Sequence, residues 1–314
     1  MSKRKPRIAL MYDFDGTLSP GNMQEYDFIP ELGITPAHFW EEAKAWAKEQ
    51  EADGILAYMC LMLKKARASD GVKITKKAIQ GYGKSIKLFP GVQEWFYRMD
   101  AYADMLGFKL EHYIISSGLR EMVEGTSIAS KFERIFASSF MYDQHNVATW
   151  PGMAVNYTTK TQFVFRINKG ISDVSDNTSI NAFMAKEDRP VPFNRMIYFG
   201  DGETDVPCMK LLKAQGGYSI AVHKPDSRNK KTVAKKLLSE NRVSFIAPAD
   251  YSEDTELDKL VKSLIRKMAA DLDVEKCKEP RRPHRATAEQ PPEPAAATET
   301  AKDETILAGG EKTG

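Results

Sequence analysis

The chain has 314 residues, of which 42% are hydrophobic and 28% charged, and its formal net charge is +2 at pH 7. This composition is ordinary for a globular protein, and the small net charge gives no global field that would attract nucleic acid. The length suffices for one large domain or two modest ones.

Cysteine usage and the N-terminus indicate the compartment. Cys60, Cys208 and Cys277 lie far apart and are odd in number, which fits neither a disulfide framework nor a cysteine metal cluster and favours a reducing environment. The apolar run after the basic residues 1–7 is too short for a signal peptide, and no stretch is long enough to span a membrane. We therefore expect a cytoplasmic protein without membrane or nucleic-acid partners.

The first predicted strand ends in two acidic residues. Residues 8–12 form a short apolar run, typical of a parallel strand covered on both faces. Asp13 and Asp15 follow, with Gly16 and Thr17 directly behind them. Ligands of open α/β sheets bind beyond the carboxyl ends of the strands, so both carboxylates are expected to face one pocket. Two acids this close need a cation or a shared proton, and Mg²⁺ prefers carboxylate and phosphate oxygens.

The stretch Asp13-Phe14-Asp15-Gly16-Thr17 resembles the first motif, Asp-x-Asp-Gly-Thr, of the haloacid dehalogenase (HAD) superfamily of phosphohydrolases. The resemblance covers residues 8 to about 250. It implies an α/β fold with a Rossmann-like parallel sheet core and a small helical cap inserted after the first strand. In the placement of this cap, the chain is most similar to relatives of phosphoserine phosphatase.

A helical segment follows the first strand. Thr35, followed by proline, is typical of a helix N-terminus, and Thr75 could cap another helix. Apolar residues at helical spacing predict a further helix between them. The predicted helices cover residues 37–50, 55–68 and 76–86.

The resemblance divides the chain into three parts. Residues 1–20 and 89–274 are expected to form the α/β core, and residues 21–88 the helical cap. The alternative is that the helical segment is a layer of the main domain. Residues 275–314 are rich in Pro, Ala, Glu, Thr and Lys and lack the apolar side chains needed to offset ordering entropy, so a disordered tail is expected there.

A second strand ends in small residues. It is predicted over 110–115, followed by Ser116, Ser117 and Gly118, with a helix starting near Leu119. Free backbone N–H groups and the helix dipole make such a place suitable for binding phosphate. Ser116 matches the second motif of the superfamily, an apolar strand that ends in Ser or Thr. The alternative is a plain helix cap, which suits Ser117 equally well.

The third motif is a lysine. After a strand predicted over 134–140, residues 141–157 are interpreted as a hairpin or a loop over the site. A helix is expected next, with Gly170 just past its end. The superfamily has a lysine at the start of such a helix, which favours Lys160. Lys169 is the alternative, because Lys-Gly resembles the motif in some relatives.

The fourth motif follows a strand predicted over 195–199. The run Gly200-Asp201-Gly202-Glu203-Thr204-Asp205 closely matches the superfamily pattern Gly-Asp-Gly-x-x-Asp. Glycines allow the sharp turn that brings carboxylates toward a metal. Further elements are predicted over residues 208–214, 218–222, 230–238, 243–247 and 257–272.

The lysine-rich helix over 230–238 has two interpretations. Its lysines form a basic face, which is either a solvated helix surface or a patch that binds nucleic acid. The solvated surface is the interpretation we prefer. The lysines are Lys230, Lys231, Lys235 and Lys236.

The resemblance implies roles for the catalytic residues. Asp13 would be the nucleophile and form an aspartyl-phosphate. Asp15 would protonate the leaving alcohol and later activate water. Ser116 and Lys160 would hold the transferring phosphoryl oxygens, where fixed charge complements the transition state.

The resemblance also implies the metal and phosphate ligands. Mg²⁺ would lie between the carboxylate of Asp13, the backbone carbonyl of Asp15 and the carboxylate of Asp201, and Asp205 would support the metal or orient its waters. The phosphate-binding residues would include Gly16, Thr17, Ser117 and Gly118.

Together these motifs predict a Mg²⁺-dependent phosphatase that acts on a small phosphorylated metabolite. The acid at position 15 agrees with this, because the dehalogenases lack an acid there and transport ATPases have threonine. The alternatives are a phosphotransferase or phosphomutase of the same superfamily and a non-catalytic binding protein on this fold. An unrelated two-aspartate metal site, as in a glycosyltransferase, is a weaker rival because it has no use for the fourth motif.

Overall fold

The computed structural model describes residues 5–277. Within them, seven strands form one sheet in the order 4-3-2-1-5-6-7, numbered along the chain. Strands 3 and 4 are antiparallel, and every other neighbouring pair is parallel. This confirms the predicted α/β class with a parallel core. The strands are β1 (Arg7–Tyr12), β2 (Lys109–Leu119), β3 (Arg134–Tyr142), β4 (Ala148–Met153), β5 (Met196–Gly200), β6 (Tyr218–His223) and β7 (Phe245–Pro248).

The α-helices of the described residues lie between these strands and after the last one, and those that were predicted lie close to their expected positions. The first four form the helical insertion expected between β1 and the next core helix. The helices are α1 (Phe28–Glu31), α2 (Pro36–Glu49), α3 (Gly54–Arg67), α4 (Lys76–Tyr82), α5 (Val92–Met105), α6 (Arg120–Glu124), α7 (Lys160–Lys169), α8 (Asn177–Asn181), α9 (Val206–Ala214), α10 (Arg228–Ser239) and α11 (Glu256–Lys276).

The central strand β1 is buried on both faces, as its uninterrupted apolar sequence predicts. Ile8, Leu10 and Tyr12 belong to one hydrophobic cluster, which includes residues of α5 and α11. Ala9 and Met11 belong to a second cluster, which includes residues of α7 and α9. Since successive side chains of a strand point to opposite faces, helices cover the sheet on both sides.

Side-chain caps fix the starts of the helices in the insertion. The Thr35 hydroxyl accepts a hydrogen bond from the backbone N–H of His38 at 3.2 Å, and Thr75 accepts one from Ala78 at 3.3 Å. Both caps were predicted. Asp53 caps α3 in the same way, at 2.8 Å from Ile55 N, which the sequence analysis missed although aspartate is a favoured cap.

The second strand differs from its prediction. β2 runs to Leu119 instead of ending at residue 115, because its pairing with β3 continues past a register shift between Ser116 and Leu119. The short helix α6 begins only at Arg120, and its N-cap is Leu119 without a side-chain cap. The interpretation of Ser117 as a plain helix cap is therefore wrong.

Residues 141–157 contain β4, which forms a hairpin with β3 at the edge of the sheet.

The described residues up to 275 belong to one compact unit, so the division into core and cap stays a prediction. Residues 278–314, most of the predicted tail, lie outside the described part of the chain. Among residues 5–277, no helix combines the length and apolar character needed to cross a membrane.

Candidate active site

The carboxyl ends of three neighbouring parallel strands border a cavity of about 700 Å³. Asp13 and Asp15 follow β1, Asp201 follows β5, and Ser116 lies near the end of β2. Because β1 lies between β2 and β5, the sheet brings these distant parts of the sequence to one edge. All four residues line the cavity.

Asp13 is held in place through both of its carboxylate oxygens. Its Oδ1 accepts a hydrogen bond from the Phe14 backbone N–H at 2.8 Å, and its Oδ2 lies 2.9 Å from the Lys160 ammonium nitrogen. Burial raises the pKa of Asp13 to about 7 against the lowering effect of Lys160, and the nearby Asp205 and Asp201 carboxylates raise it further. The group is thus an oriented carboxyl next to a fixed cation.

Lys160 is fully buried at the start of α7. Its ammonium lies 2.7 Å from Asp205 Oδ1 as well as beside Asp13. Burial alone would lower the pKa of Lys160, but the two carboxylates outweigh it and the pKa lies above the ordinary value, so the lysine stays charged. Lys169, at the other end of the helix, donates at 2.6 Å to the backbone carbonyls of Ile180 and Ala182 at the end of α8. The structure brings Lys160, not Lys169, to the carboxylates.

Asp15 lies in the turn after β1 and lines the cavity. Its Oδ1 accepts a hydrogen bond from the Met23 backbone N–H at 2.9 Å. Burial and the neighbouring Asp13 raise the pKa of Asp15 well above its ordinary value, despite that hydrogen bond. Gly16 is left-handed with φ of 76°, and a Cβ built there would overlap the Asp201 carboxylate. Only glycine therefore allows the turns after β1 and β5 to approach this closely.

The carboxylates of Asp13, Asp201 and Asp205 offer oxygen atoms that lie within 4.8 Å of one another. Such a set of oxygen donors suits a hard divalent cation. Asp205 Oδ1 accepts hydrogen bonds from Lys160 and from the Tyr198 hydroxyl, both at 2.7 Å, and its Oδ2 accepts one from the backbone N–H of Asp201 at 3.2 Å. Both Asp205 oxygens are thus engaged in positioning their neighbours.

Tyr198 is a residue of the site that the sequence analysis missed. It lies in the strand predicted over residues 195–199 and was given no role in the site. Its hydroxyl is the signal that could have revealed it, because a buried tyrosine O–H requires a partner.

Not all of the predicted phosphate-binding residues line the cavity. Ser116 Oγ accepts a hydrogen bond from the Gly118 backbone N–H at 3.1 Å, and the Ser117 carbonyl accepts one from the Tyr58 hydroxyl at 2.8 Å. Ser116, Ser117 and Gly118 line the cavity. Thr17 is fully buried and is not among the lining residues, so its predicted contact with phosphate rests on the sequence resemblance alone.

Lys230 is another residue of the site that the sequence analysis did not predict. Its ammonium lies 2.7 Å from Asp201 Oδ2, and it lines the cavity, whereas we interpreted it as part of a solvated basic face. Helical periodicity could have separated it from the other lysines, because Lys230, Ala234 and Leu237 share one face of α10 and the last two are buried.

The helical insertion contributes to a second, smaller cavity beside Asp15. This cavity measures about 200 Å³ and is lined by residues of α2 and α3 as well as by the end of β2. Trp40 and Tyr58 come from these helices, and Gln24 from the turn before them. No residue of the β3–β4 hairpin is among the described residues that line either cavity, so the hairpin does not form a loop over the site.

Comparison with known proteins identifies relatives. The chain is 29% identical over 287 residues to an uncharacterized protein of Borreliella burgdorferi, which covers 82% of this chain and 96% of the relative. Among solved structures, a probable phosphoserine phosphatase from Vibrio cholerae matches 87% of this chain and 68% of its own, with a TM-score of 0.53 and 15% identity. A HAD family hydrolase from Salmonella enterica matches 83% and 72%, with a TM-score of 0.51 and 16% identity.

The two solved structures share the fold of this chain at low sequence identity. A family profile gives the more specific result, since the profile described as "haloacid dehalogenase-like hydrolase" matches residues 10–210, which include Asp13, Lys160 and Asp201. This range covers well over half of the chain and contains the sheet edge at which the carboxylates meet. The chain belongs to the haloacid dehalogenase-like hydrolase family.

Proposed function

We propose that the chain is a Mg²⁺-dependent phosphatase that hydrolyses a small organic phosphomonoester through an aspartyl-phosphate. The observation that carries this proposal is the arrangement of Asp13, Asp15 and Lys160 at the end of the central strand, with one carboxylate beside a buried ammonium at 2.9 Å. A nucleophile, a proton donor and a fixed positive charge are the groups that phosphoryl transfer to an enzyme carboxylate requires.

In the first step, a carboxylate oxygen of Asp13 attacks the phosphorus atom and the bond from phosphorus to the ester oxygen breaks. Asp15 gives its proton to the departing alkoxide. The raised pKa of Asp15, caused by burial and by Asp13, suits this role because a general acid has to hold its proton near neutral pH. Lys160, whose charge is retained, lies where it can offset negative charge on the phosphoryl oxygens.

In the second step, Asp15 accepts a proton from a water molecule and the resulting hydroxide attacks phosphorus. The bond between phosphorus and Asp13 breaks, and inorganic phosphate leaves. Ser116, at the end of β2, lines the cavity and would contact the transferring group. The second step returns to Asp15 the proton that it lost in the first, and it frees the Asp13 carboxylate. Both residues thus end in their starting protonation states.

The carboxylates of Asp13 and Asp201 would hold a divalent cation, together with the backbone carbonyl of Asp15 that the family motif implies. Bound Mg²⁺ would supply positive charge beside the phosphoryl oxygens. Asp205 would act on this site through its neighbours, because its oxygens accept hydrogen bonds from Lys160, Tyr198 and the Asp201 backbone. Replacing it would disturb the positions of three groups at once.

We further propose that helices α1–α4 serve as the predicted cap. The Tyr58 hydroxyl on α3 donates to the Ser117 carbonyl at 2.8 Å, and helix residues line the smaller cavity next to Asp15. Asp15, which would protonate the departing alcohol, borders both this cavity and the larger one. The sizes of the two cavities favour a small substrate. The cysteines of the described residues are free, which agrees with the reducing, cytoplasmic setting that we expect.

The test is phosphate release from a panel of small phosphate esters, with Mg²⁺ and with a chelator. Asp13→Asn should lower kcat by roughly a thousandfold or more, and Asp188→Asn, an exposed aspartate outside the cavity, serves as the matched control. Near-normal metal-dependent turnover by Asp13→Asn would end the nucleophile assignment. Mg²⁺ binding without release from any ester would instead indicate a phosphotransferase or a non-catalytic binding protein.

A further inference from the structure

We propose that the natural substrate carries a second anionic group, a carboxylate or a further phosphate, and that Lys224 binds it. This inference rests on the proposed phosphatase function and adds the chemical class of the ester. Lys224 has no role in the four sequence motifs. It is a specificity-determining residue on the wall of the cavity.

The sheet places Lys224 at the catalytic edge. It directly follows β6, just as Asp13 follows β1 and Asp201 follows β5. Strands β5 and β6 are parallel neighbours, so Lys224 emerges beside the carboxylates although it is far from Asp13 in sequence. It lines the same 700 Å³ cavity as these groups.

The cavity has room for more than the phosphoryl group. Small-molecule sites typically measure about 300–1,000 Å³, and the 700 Å³ cavity lies within this range. Ile55, Phe89 and Val233 form apolar parts of its wall, beside the polar lining residues. The ester is thus expected to have a body that extends from the carboxylates toward the wall formed after β6.

Lys224 is the cation in this cavity that is available to a ligand. Lys160 is buried between Asp13 and Asp205, and Lys230 is paired with Asp201 at 2.7 Å. Within the described residues, no ion pair or hydrogen bond engages the ammonium of Lys224, which is exposed. A second anion on the ester would therefore meet its positive charge here.

Two acids of the cavity wall raise the opposite possibility, a cationic substrate. Glu25 keeps its negative charge, although its Oε1 accepts hydrogen bonds from Trp40 Nε1 at 2.7 Å and from Asn22 Nδ2 at 2.6 Å. Glu203 is exposed on the loop after β5 and could meet an ammonium group. A cationic ester is for this reason one arm of the test.

The test compares kcat/KM for four two-carbon esters: ethyl phosphate, phosphoglycolate, ethylene glycol bisphosphate and phosphoethanolamine. We expect at least one of the two esters with an added anion to exceed ethyl phosphate by about fivefold, the effect of an ion pair at an exposed position. The gain should lie in KM, since binding is what Lys224 contributes. Which of the two esters gains identifies the anion.

Variants link this gain to the residue. Lys224→Met should remove the gain over ethyl phosphate, and Lys224→Arg should retain it because the charge is kept. Lys231→Met is the matched control, since Lys231 is an exposed lysine of α10 that does not line the cavity. Thermal melting of each variant separates lost binding from lost folding.

The outcomes distinguish the two proposals. If no ester is hydrolysed, the proposed phosphatase function fails. If kcat/KM for ethyl phosphate equals that for the anionic esters, or if it is highest for phosphoethanolamine, the second-anion inference is overturned. The proposed phosphatase function stands in both cases. A gain that survives in Lys224→Met also overturns it.

Discussion

The charge balance of the site depends on Lys160. This buried ammonium is shared by Asp13 and Asp205, at 2.9 and 2.7 Å. Lys160→Met would leave two buried carboxylates without their cation, and breaking a buried pair costs about 3–5 kcal/mol. We expect a loss of free energy of unfolding of this size, measured by urea denaturation, together with loss of turnover.

Lys169→Met is the control for this prediction. Lys169 lies on the same helix but donates to the Ile180 and Ala182 carbonyls at the end of α8. Because its side chain is half-buried and water can replace the ammonium, its removal should cost only about 1–2 kcal/mol. Equal stability of the two variants would contradict the role given to Lys160.

A second buried polar group lies directly before the nucleophile. Tyr12 Oη accepts a hydrogen bond from Trp95 Nε1 at 2.9 Å and lies 3.0 Å from His112 Nδ1. An indole N–H can only donate, which leaves the Tyr12 proton for His112 Nδ1 when that nitrogen is unprotonated. The other ring nitrogen of His112 then carries the hydrogen and donates to Asp100 at 3.1 Å.

Removing this hydroxyl should therefore be costly. Tyr12→Phe leaves Trp95 Nε1 and His112 Nδ1 without their partner inside the core, and each buried unsatisfied group costs about 1–3 kcal/mol. We expect a lower urea midpoint than in the wild type. Tyr97→Phe, on the exposed side of the same helix as Trp95, should have no measurable effect, and a matching loss in that variant would refute the explanation.

At the scale of elements, helices α5 and α11 are joined by an ion pair. The fully buried Asp258 lies 2.9 Å from Arg98 Nε on α5 and 2.8 Å from Lys262 Nζ on its own helix. Although burial raises it, these two cations lower the pKa of Asp258 below its ordinary value of 3.8. The carboxylate thus stabilises the folded state most when it is charged.

This lowered pKa predicts a pH dependence of stability. The contribution of Asp258 is complete above its unfolded pKa and is lost as pH falls through the folded-state pKa. Asp258→Asn should cost about 2 kcal/mol near neutral pH, the worth of hydrogen bonds to charged groups. The difference from the wild type in urea denaturation should begin to shrink as pH falls below about 4, and it should vanish only below the folded-state pKa.

The exposed pair Lys267–Asp271 on the same helix provides the control. Its side chains are 55% and 51% exposed, and such pairs contribute about 0–1 kcal/mol. Asp271→Asn should therefore change the midpoint little at any pH. A difference between wild type and Asp258→Asn that stays constant down to acid pH would show that the lost contact is not electrostatic.

Elements were predictable from the sequence where one local signal decides them. The apolar run of β1 and the cap residues Thr35 and Thr75 placed a strand and two helices correctly. The extension of β2 through Ser116 and Leu119 was missed, because it depends on pairing with β3, a partner that no local pattern specifies. Long-range pairing therefore sets the limit of such predictions.

The same limit applies to the site. Asp13 and Asp201 were placed together because each follows an apolar strand and parallel strands end at one edge. Tyr198 and Lys230 were missed, because each looks ordinary in its own helix or strand. The contact of Tyr198 with Asp205 depends on how the chain turns after β5, and the contact of Lys230 with Asp201 forms only when α10 comes beside that turn.

At the scale of the whole molecule, metal binding should stabilise the fold. The Asp13 and Asp201 carboxylates repel each other in the folded state, and a ligand that binds only this state adds about 2.7 kcal/mol at a hundred times its Kd. We therefore expect Mg²⁺ to raise the thermal midpoint of the wild type and to do so much less in Asp201→Asn.

Glu203→Gln is the matched control for the metal. Glu203 is a nearby acid of the same loop that lies outside the cluster of Asp13, Asp201 and Asp205, so its variant should keep most of the Mg²⁺ shift. The three proteins are compared by calorimetry with Mg²⁺ and with a chelator. An equal shift in Asp201→Asn and the wild type would place the ion elsewhere, since a ligand stabilises only through the site that binds it.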